Sequence, residues 1–169
     1  MATTALGGIV LEAWNDLDRA TAGLSSEDAE RRIATASPIS WSVAHCTNQL
    51  DSFVNVTFQG RERNQFIADD RFRFGAAGEP ADWSQVQAAV AEVREAARPY
   101  LESPTEAELE RNMPYGGSMT FLRERGITVR YGLIRIALHH YFHIGEIASA
   151  RNSLGHDVGD YPGRLEACL

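Results

Sequence analysis

The sequence contains no lysine: all 16 of its basic residues are arginine, against 23 acidic ones. The net charge of −7 leaves no basic footprint of the kind that grips nucleic acid or an anionic membrane, so neither is expected as a partner. Arginine without lysine is a genome-composition signature, although its planar fork also clamps carboxylates well. Cysteine is nearly absent too. Cys46 inside an expected helix and Cys168 near the end form no CxxC motif and no disulfide framework. Long apolar runs are missing: the start, MATTALGGIVLEAW, has no positively charged n-region, and its apolar stretch is too short for a signal sequence or a membrane span. The chain therefore reads as cytoplasmic. At 169 residues with 44% hydrophobic residues it is long enough for one ordinary domain with a real core, taken as 1–169.

What is present is helical periodicity. Ile9, Trp14, Leu17 and Leu24 recur at helical spacing, predicting a first helix over 3–22 that ends near Gly23, with Glu12, Asp16 and Asp18 turned to water. Pro38 and Ser40 open a second helix over 39–58, closed by Gly60 and carrying Trp41, His45, Asn48 and Gln49. A long charged connection follows. Asp82 caps a third helix with Val86, Val90 and Val93 on one face and Pro99 near its end. The segment after Leu101 reads as a loop with a small hairpin. Thr128 caps a fourth helix over 128–154. It is apolar over most of its circumference through Leu133, Ile136, Leu138, Tyr141, Phe142, Ile144 and Ile147, and so belongs in a core. Gly155 then stands as its C′ residue, ahead of a loose tail in which His156 faces solvent. Four long helices without βαβ alternation predict an all-α bundle with long connections after the second and third helices.

The chemistry-bearing feature is the histidine cluster in LHHYFHIGE. Residues four apart share a helix face, so His139 and His143 could direct two imidazoles at one cation; His140 with His143, three apart, is the other geometric option. His140 continues the apolar line of Ile136 and Ile144, whereas His139 and His143 run with Arg135 and Glu146, which favours the 139/143 pair as ligands and makes His140 a packed histidine. Such a pair on its own is as compatible with two satisfied polar residues on a helix as with a metal site. The helix reads HHYFH rather than HExxH, which argues against a zinc protease, and the Glu-x-x-His pairs of di-iron bundles are absent.

Three segments together, Trp41-Ser-Val-Ala-His45, His139-x-x-x-His143-x-Gly145-Glu146 and Arg151-Asn-Ser-Leu-Gly155-x-Asp157, make the chain resemble the DinB-like superfamily of metal-binding four-helix bundles. The resemblance implies a metal triad of His45, His139 and His143 with an open coordination position. Zinc or nickel is then the expected ion. The family usually has Gln where this chain has Glu146. A carboxylate there would either orient a ligand histidine or bind the ion itself, the latter shifting preference to iron or manganese.

The activity implied is metal-dependent chemistry on a small electrophile, foremost a transferase or isomerase using a low-molecular-weight thiol such as mycothiol or bacillithiol. A hydrolase using water, or a non-catalytic metal-binding stress-response protein, is the alternative. Glu146, Gln49 and Asn48 are the candidate catalytic side chains, and Arg135, Arg151 and Tyr141 the candidate substrate contacts, although surface solvation accounts better for the two arginines and core packing for Tyr141. Cys46, about 100° around the helix from His45, is expected to be buried, inert and turned away from the metal. Family members pair through bundle faces, so a homodimer through the apolar first helix is a further expectation.

Overall fold

In the computed structural model of the protein, residues 5–168 are described, the side chain of Ala167 excepted. The fold is all-α, with strand confined to one two-residue pair. Its long elements are α1 (Ala5–Thr21), α3 (Ile39–Leu50), which runs directly into a π-helical segment (Asp51–Phe58), α4 (Trp83–Glu102) and α7 (Val129–Ser153). Helix α7 packs on α1 and α3, and α4 packs on α3 and α1, so each long helix has two neighbours. Positions 3 and 4 of the expected first helix lie outside the described residues.

The capping chemistry works as read. The carboxylate of Asp82 accepts from the backbone N–H of Gln85, and the hydroxyl of Thr128 accepts from that of Tyr131. Gly155, at φ +85°, supplies the left-handed residue after α7. Gly132 has a different purpose: a Cβ there would strike the ring of Phe58, so glycine is what lets α7 approach the π-helical segment.

Short elements fill the connections. α2 (Ser26–Glu30) lies in the polar stretch before α3, and a 3₁₀ turn (Asp70–Phe72) lies in the long connection after Gly60. Between α4 and α7 come α5 (Glu106–Leu109), β1 (Asn112–Met113), α6 (Thr120–Arg125) and β2 (Ile127–Thr128). The strands pair antiparallel, Asn112 opposite Thr128, which is the small hairpin the sequence suggests.

The apolar core divides into two clusters stacked along the helices. One contains Trp14, Leu50, Phe53, Phe58, Val93, Leu101, Leu133 and Ile136. The other contains Leu17, Ile39, Trp41, Phe72, Trp83, Val86, Ile144 and Ile147. Between them, residues 45–48 of α3 and 139–143 of α7 place buried polar groups.

Three expectations need correction. Glu12 and Asp16 do not face water: Asp16 is 2% exposed and anchors the C-terminal segment. Its carboxylate accepts from Tyr141 Oη at 3.2 Å, from the backbone N–H of Gly163 at 2.9 Å and from Arg19 at 2.6 Å. Asp18 is exposed as expected but pairs with Arg94, whose guanidinium also lies over the Trp14 ring.

The tail is consequently docked rather than loose. Arg19 donates to the carbonyl of Asp160, Arg151 to the carbonyls of Ala20, Ala22 and Asp157, and His156 is half-buried against Asp28 at 3.1 Å rather than free in solvent. Finally, α7 is not apolar into a core all round. Ile134, Leu138 and Phe142, one turn apart, form an exposed stripe that no described element covers, whereas the apolar face of α1 is buried within the chain.

Replacing Asp16 with alanine strands Tyr141 Oη and the Gly163 N–H, each costing about 1–3 kcal/mol when left unsatisfied. Asp16→Ala is expected to lower stability by about 2 kcal/mol and to speed tryptic cleavage at Arg164. Urea unfolding and timed proteolysis check this, and an unchanged cleavage rate would show that the carboxylate does not dock the tail.

Candidate metal centre

His45 on α3 and His139 and His143 on α7 come together. Their rings lie 4.8 Å (45 to 139), 5.1 Å (45 to 143) and 4.6 Å (139 to 143) apart between centroids, all at steep interplanar angles. One nitrogen from each ring lies within 4.8 Å of the other two, so the three could hold a metal ion. A tetrahedral ion with bonds of about 2.0–2.1 Å spaces its nitrogens by roughly 3.4 Å, so small ring rotations would close the triad.

Each ring is oriented differently. Nδ1 of His45 is 2.6 Å from the carbonyl oxygen of Phe72. A carbonyl only accepts, so Nδ1 carries the proton and Nε2 presents its lone pair. His143 repeats the device, its Nδ1 donating to Glu146 Oε2 at 2.7 Å. Nδ1 of His139 is buried with no hydrogen-bond partner among the described residues. Trp41 stacks on His45 at 4.7 Å and 12°, and its indole N–H donates to the carbonyl of Arg71 at 2.7 Å.

Thus the long connection after Gly60 supplies the two carbonyls that fix Trp41 and His45. Sequence reading missed these anchors because a backbone carbonyl leaves no residue-type signature; the buried aromatic of Phe72 in a charged loop is the signal that marks the segment as packed.

The electrostatics favour free lone pairs. Burial is the largest cause depressing all four clustered histidines: His139 is pushed down to about 2, with the charges of His143 and His45 adding to the effect, and His140 to about 3, with Arg94 adding. His45 and His143 are lowered as well, partly offset by the Phe72 carbonyl and by Glu146 respectively. At neutral pH the imidazoles are therefore uncharged, as a metal ligand must be. The donor set, one neutral nitrogen from each of three imidazoles with Nδ1 of His139 unpartnered, is one that could hold a divalent metal ion.

The other sequence candidates separate. Glu146 hydrogen-bonds His143 and is not among the residues of the three-histidine cluster. Asn48 is structural: its amide donates to the Ile67 carbonyl at 2.5 Å. Gln49 Oε1 and Arg135 Nε are buried without hydrogen-bond partners among the described residues, each one turn from a triad histidine.

Arg151 and Tyr141 belong to the tail anchorage and not to this site. His140, as expected, is packed, with Nδ1 donating to the Ile136 carbonyl. Cys46 is buried and free, and burial pushes its thiol far up. It does not turn away from the cluster, however: its sulfur lies within 4.8 Å of ring nitrogens of His139 and His140, behind the triad.

The chain belongs to the DinB superfamily, whose family model matches residues 10–147 and so includes both helices of the histidine cluster. A search of curated proteins returns no match. No helix among the described residues is long and apolar enough to cross a membrane.

A buried histidine whose folded pKa lies below its unfolded value near 6.5 adds nothing to the pH dependence above that value. Below it the unfolded chain takes up a proton that the folded chain refuses, so stability falls as pH drops from 6.5 toward the folded pKa, by at most about 1.4 kcal/mol per pH unit for each histidine. Chelator-treated protein is expected to lose stability steeply between pH 6.5 and 4. His140→Leu is expected to flatten that slope by about 1 kcal/mol per pH unit. Equal slopes in urea titrations of the two proteins would contradict the burial of a neutral His140.

Proposed function

We propose that the protein is a metal-dependent enzyme whose ion is held by His45, His139 and His143 and which activates a low-molecular-weight thiol against a small electrophile. The observation that carries this reading is the convergence of three uncharged imidazoles from two helices, two of them with Nδ1 committed to an acceptor so that Nε2 is left for a ligand. A divalent ion bound there would act as a Lewis acid that favours the anionic form of a thiol at neutral pH.

The chain's own residues supply the rest. Phe72 and Glu146 hold two rings in one tautomer, Trp41 covers the outer face of His45, and the surrounding apolar clusters keep the site at low dielectric. The unpartnered Arg135 Nε and Gln49 Oε1 offer a donor and an acceptor to the polar group of an electrophile. Mycothiol and bacillithiol are thiols of the required kind, zinc or nickel the ion the donor set suits. Pairing of two copies would use the exposed Ile134, Leu138 and Phe142 stripe of α7, because the apolar face of α1 is occupied.

Protein purified without an affinity tag is expected to carry close to one equivalent of transition metal per chain. His45→Ala, His139→Ala and His143→Ala should each weaken metal affinity at least 100-fold and leave the purified protein nearly metal-free. With a low-molecular-weight thiol and 1-chloro-2,4-dinitrobenzene, the loaded protein should accelerate conjugation, and chelation should remove the acceleration. Metal content indifferent to all three substitutions would end the metal-centre reading. A metal-loaded protein that hydrolyses esters or amides but conjugates nothing would replace thiol transfer by hydrolysis, and one that does neither would leave a binding protein.

A further inference from the structure

Between the start of α3 and the end of α7 lies a cavity of about 360 Å³ whose wall includes Glu146, the hydrogen-bond partner of His143, and none of the three triad histidines. The two helices run antiparallel there: His45 faces His139 and His143, while Ile39 and Ser42, toward the start of α3, share the cavity with Glu146, Ile147 and Ala150, toward the end of α7. The remaining wall is Ser149 and Ser153 of α7 together with residues 33–37, and Arg32 pins the latter segment by donating to the carbonyls of Ala36 and Gly78.

Two features of the lining point to a ligand. Ser42 is 2% exposed, lines the cavity, and its hydroxyl has no hydrogen-bond partner among the described residues. Glu146 is the single charged residue in the wall, and only one of its oxygens is engaged, Oε2 on His143 Nδ1. The cavity therefore offers the half-exposed Glu146 carboxylate, the Ser42 hydroxyl and the hydroxyl-bearing Thr35, Ser37, Ser149 and Ser153 beside the apolar Ile33, Ile39 and Ile147, with no cation to receive an anion.

We propose that this cavity seats the part of the site's ligand that does not reach the imidazoles, and that this part is an uncharged or cationic chain bearing ammonium or hydroxyl groups, an amino alcohol in chemical class. The ammonium or hydroxyl donates to the free oxygen of Glu146, the aliphatic segment lies on the isoleucines, and a terminal hydroxyl exchanges a hydrogen bond with Ser42. A carboxylate or phosphate in the same place meets the charge of Glu146 with no cation to offset it and is disfavoured. Because the Glu146 carboxylate also orients His143, occupancy of the cavity is felt at the metal ligand without direct contact. That last role rests on the metal-centre reading; the ligand chemistry of the cavity does not.

The test uses the whole chain, metal-loaded and chelator-treated, with metal content measured on every sample. 5-Amino-1-pentanol and the matched anion 5-hydroxypentanoate are titrated in the millimolar range while backbone amide NMR signals are followed. Saturable shifts at residues 33–42 and 146–153 are expected for the amino alcohol, with at least tenfold weaker binding of the anion. Ser42→Val, which fills the cavity, should weaken amino-alcohol binding at least tenfold, and Glu146→Gln should bring the two probes within about threefold of each other.

Absence of saturable shifts, equal binding of both probes to the unsubstituted protein, or binding that ignores both substitutions would overturn the proposal. Should Ser42→Val fail to fold, the Glu146→Gln comparison decides alone. Metal content, read separately, shows whether the metal centre stands in either event.

Discussion

His45, His139, His140 and His143 occupy the level at which the two apolar clusters meet, and an imidazolium there would lose its hydration with a carboxylate hydrogen-bonded to only one of the four rings. The low pKa values follow, and so does the architecture around them. A neutral imidazole in a core still has a donor and an acceptor to place. Phe72, Ile136 and Glu146 each take one N–H, which leaves lone pairs directed into the layer. A buried set of unused lone pairs is unfavourable for an apolar core and favourable for a cation, so the feature that costs the core stability is also the one that could hold a metal ion.

This layer also explains elements remote from it. Helix α3 must present His45 inward along with Trp41 and Leu50, and the connection after Gly60 folds back across it because the Trp41 indole and the His45 ring both need acceptors on that side. Ile67 and Phe72 bury themselves in the process, turning a charged, glycine-bearing segment into part of the core. On the opposite side Arg94 enters the same level from α4, held by Asp18 and lying over the Trp14 ring, and adds a further positive field against protonation of His140. The charge of Arg94 is tolerated because its partner reaches the surface; the imidazoles have no such exit.

Much of this was legible in residue order, for physical reasons that can be named. Helix boundaries at Asp82, Thr128 and Gly155 follow from local capping and backbone preference, which act within four residues. The His139 and His143 pairing follows from helical pitch plus the polarity of its line. What was not legible depends on contacts across the chain. Asp16 looks like a surface acid until Gly163 and Tyr141 are brought to it from more than 100 residues away. Leu138 and Phe142 look like core until the ring of neighbours leaves their face of α7 uncovered. The π-helical continuation of α3 has no periodicity distinct enough from an α-helix over eight residues to be read in advance. Cys46 was misplaced because rotation about one helix says nothing of the ring that reaches toward it from another.

The glutamate at position 146 gives the site a polarity that a glutamine would not. A glutamine can meet the Nδ1 of His143 with either its oxygen or its amide nitrogen, so either tautomer of the ring would find a partner. An ionised carboxylate can only accept, which fixes the proton on Nδ1 and raises the basicity of Nε2. It also places one negative charge beside a centre whose candidate ligands are all neutral, partly balancing a bound divalent cation. Because α3 and α7 run antiparallel, that charge falls on the Ser42 side of the histidines, whereas Arg135 and Gln49 fall on the other. The Glu146 acceptor and the Arg135 cation therefore lie on opposite sides of the imidazoles along the contact of α3 with α7.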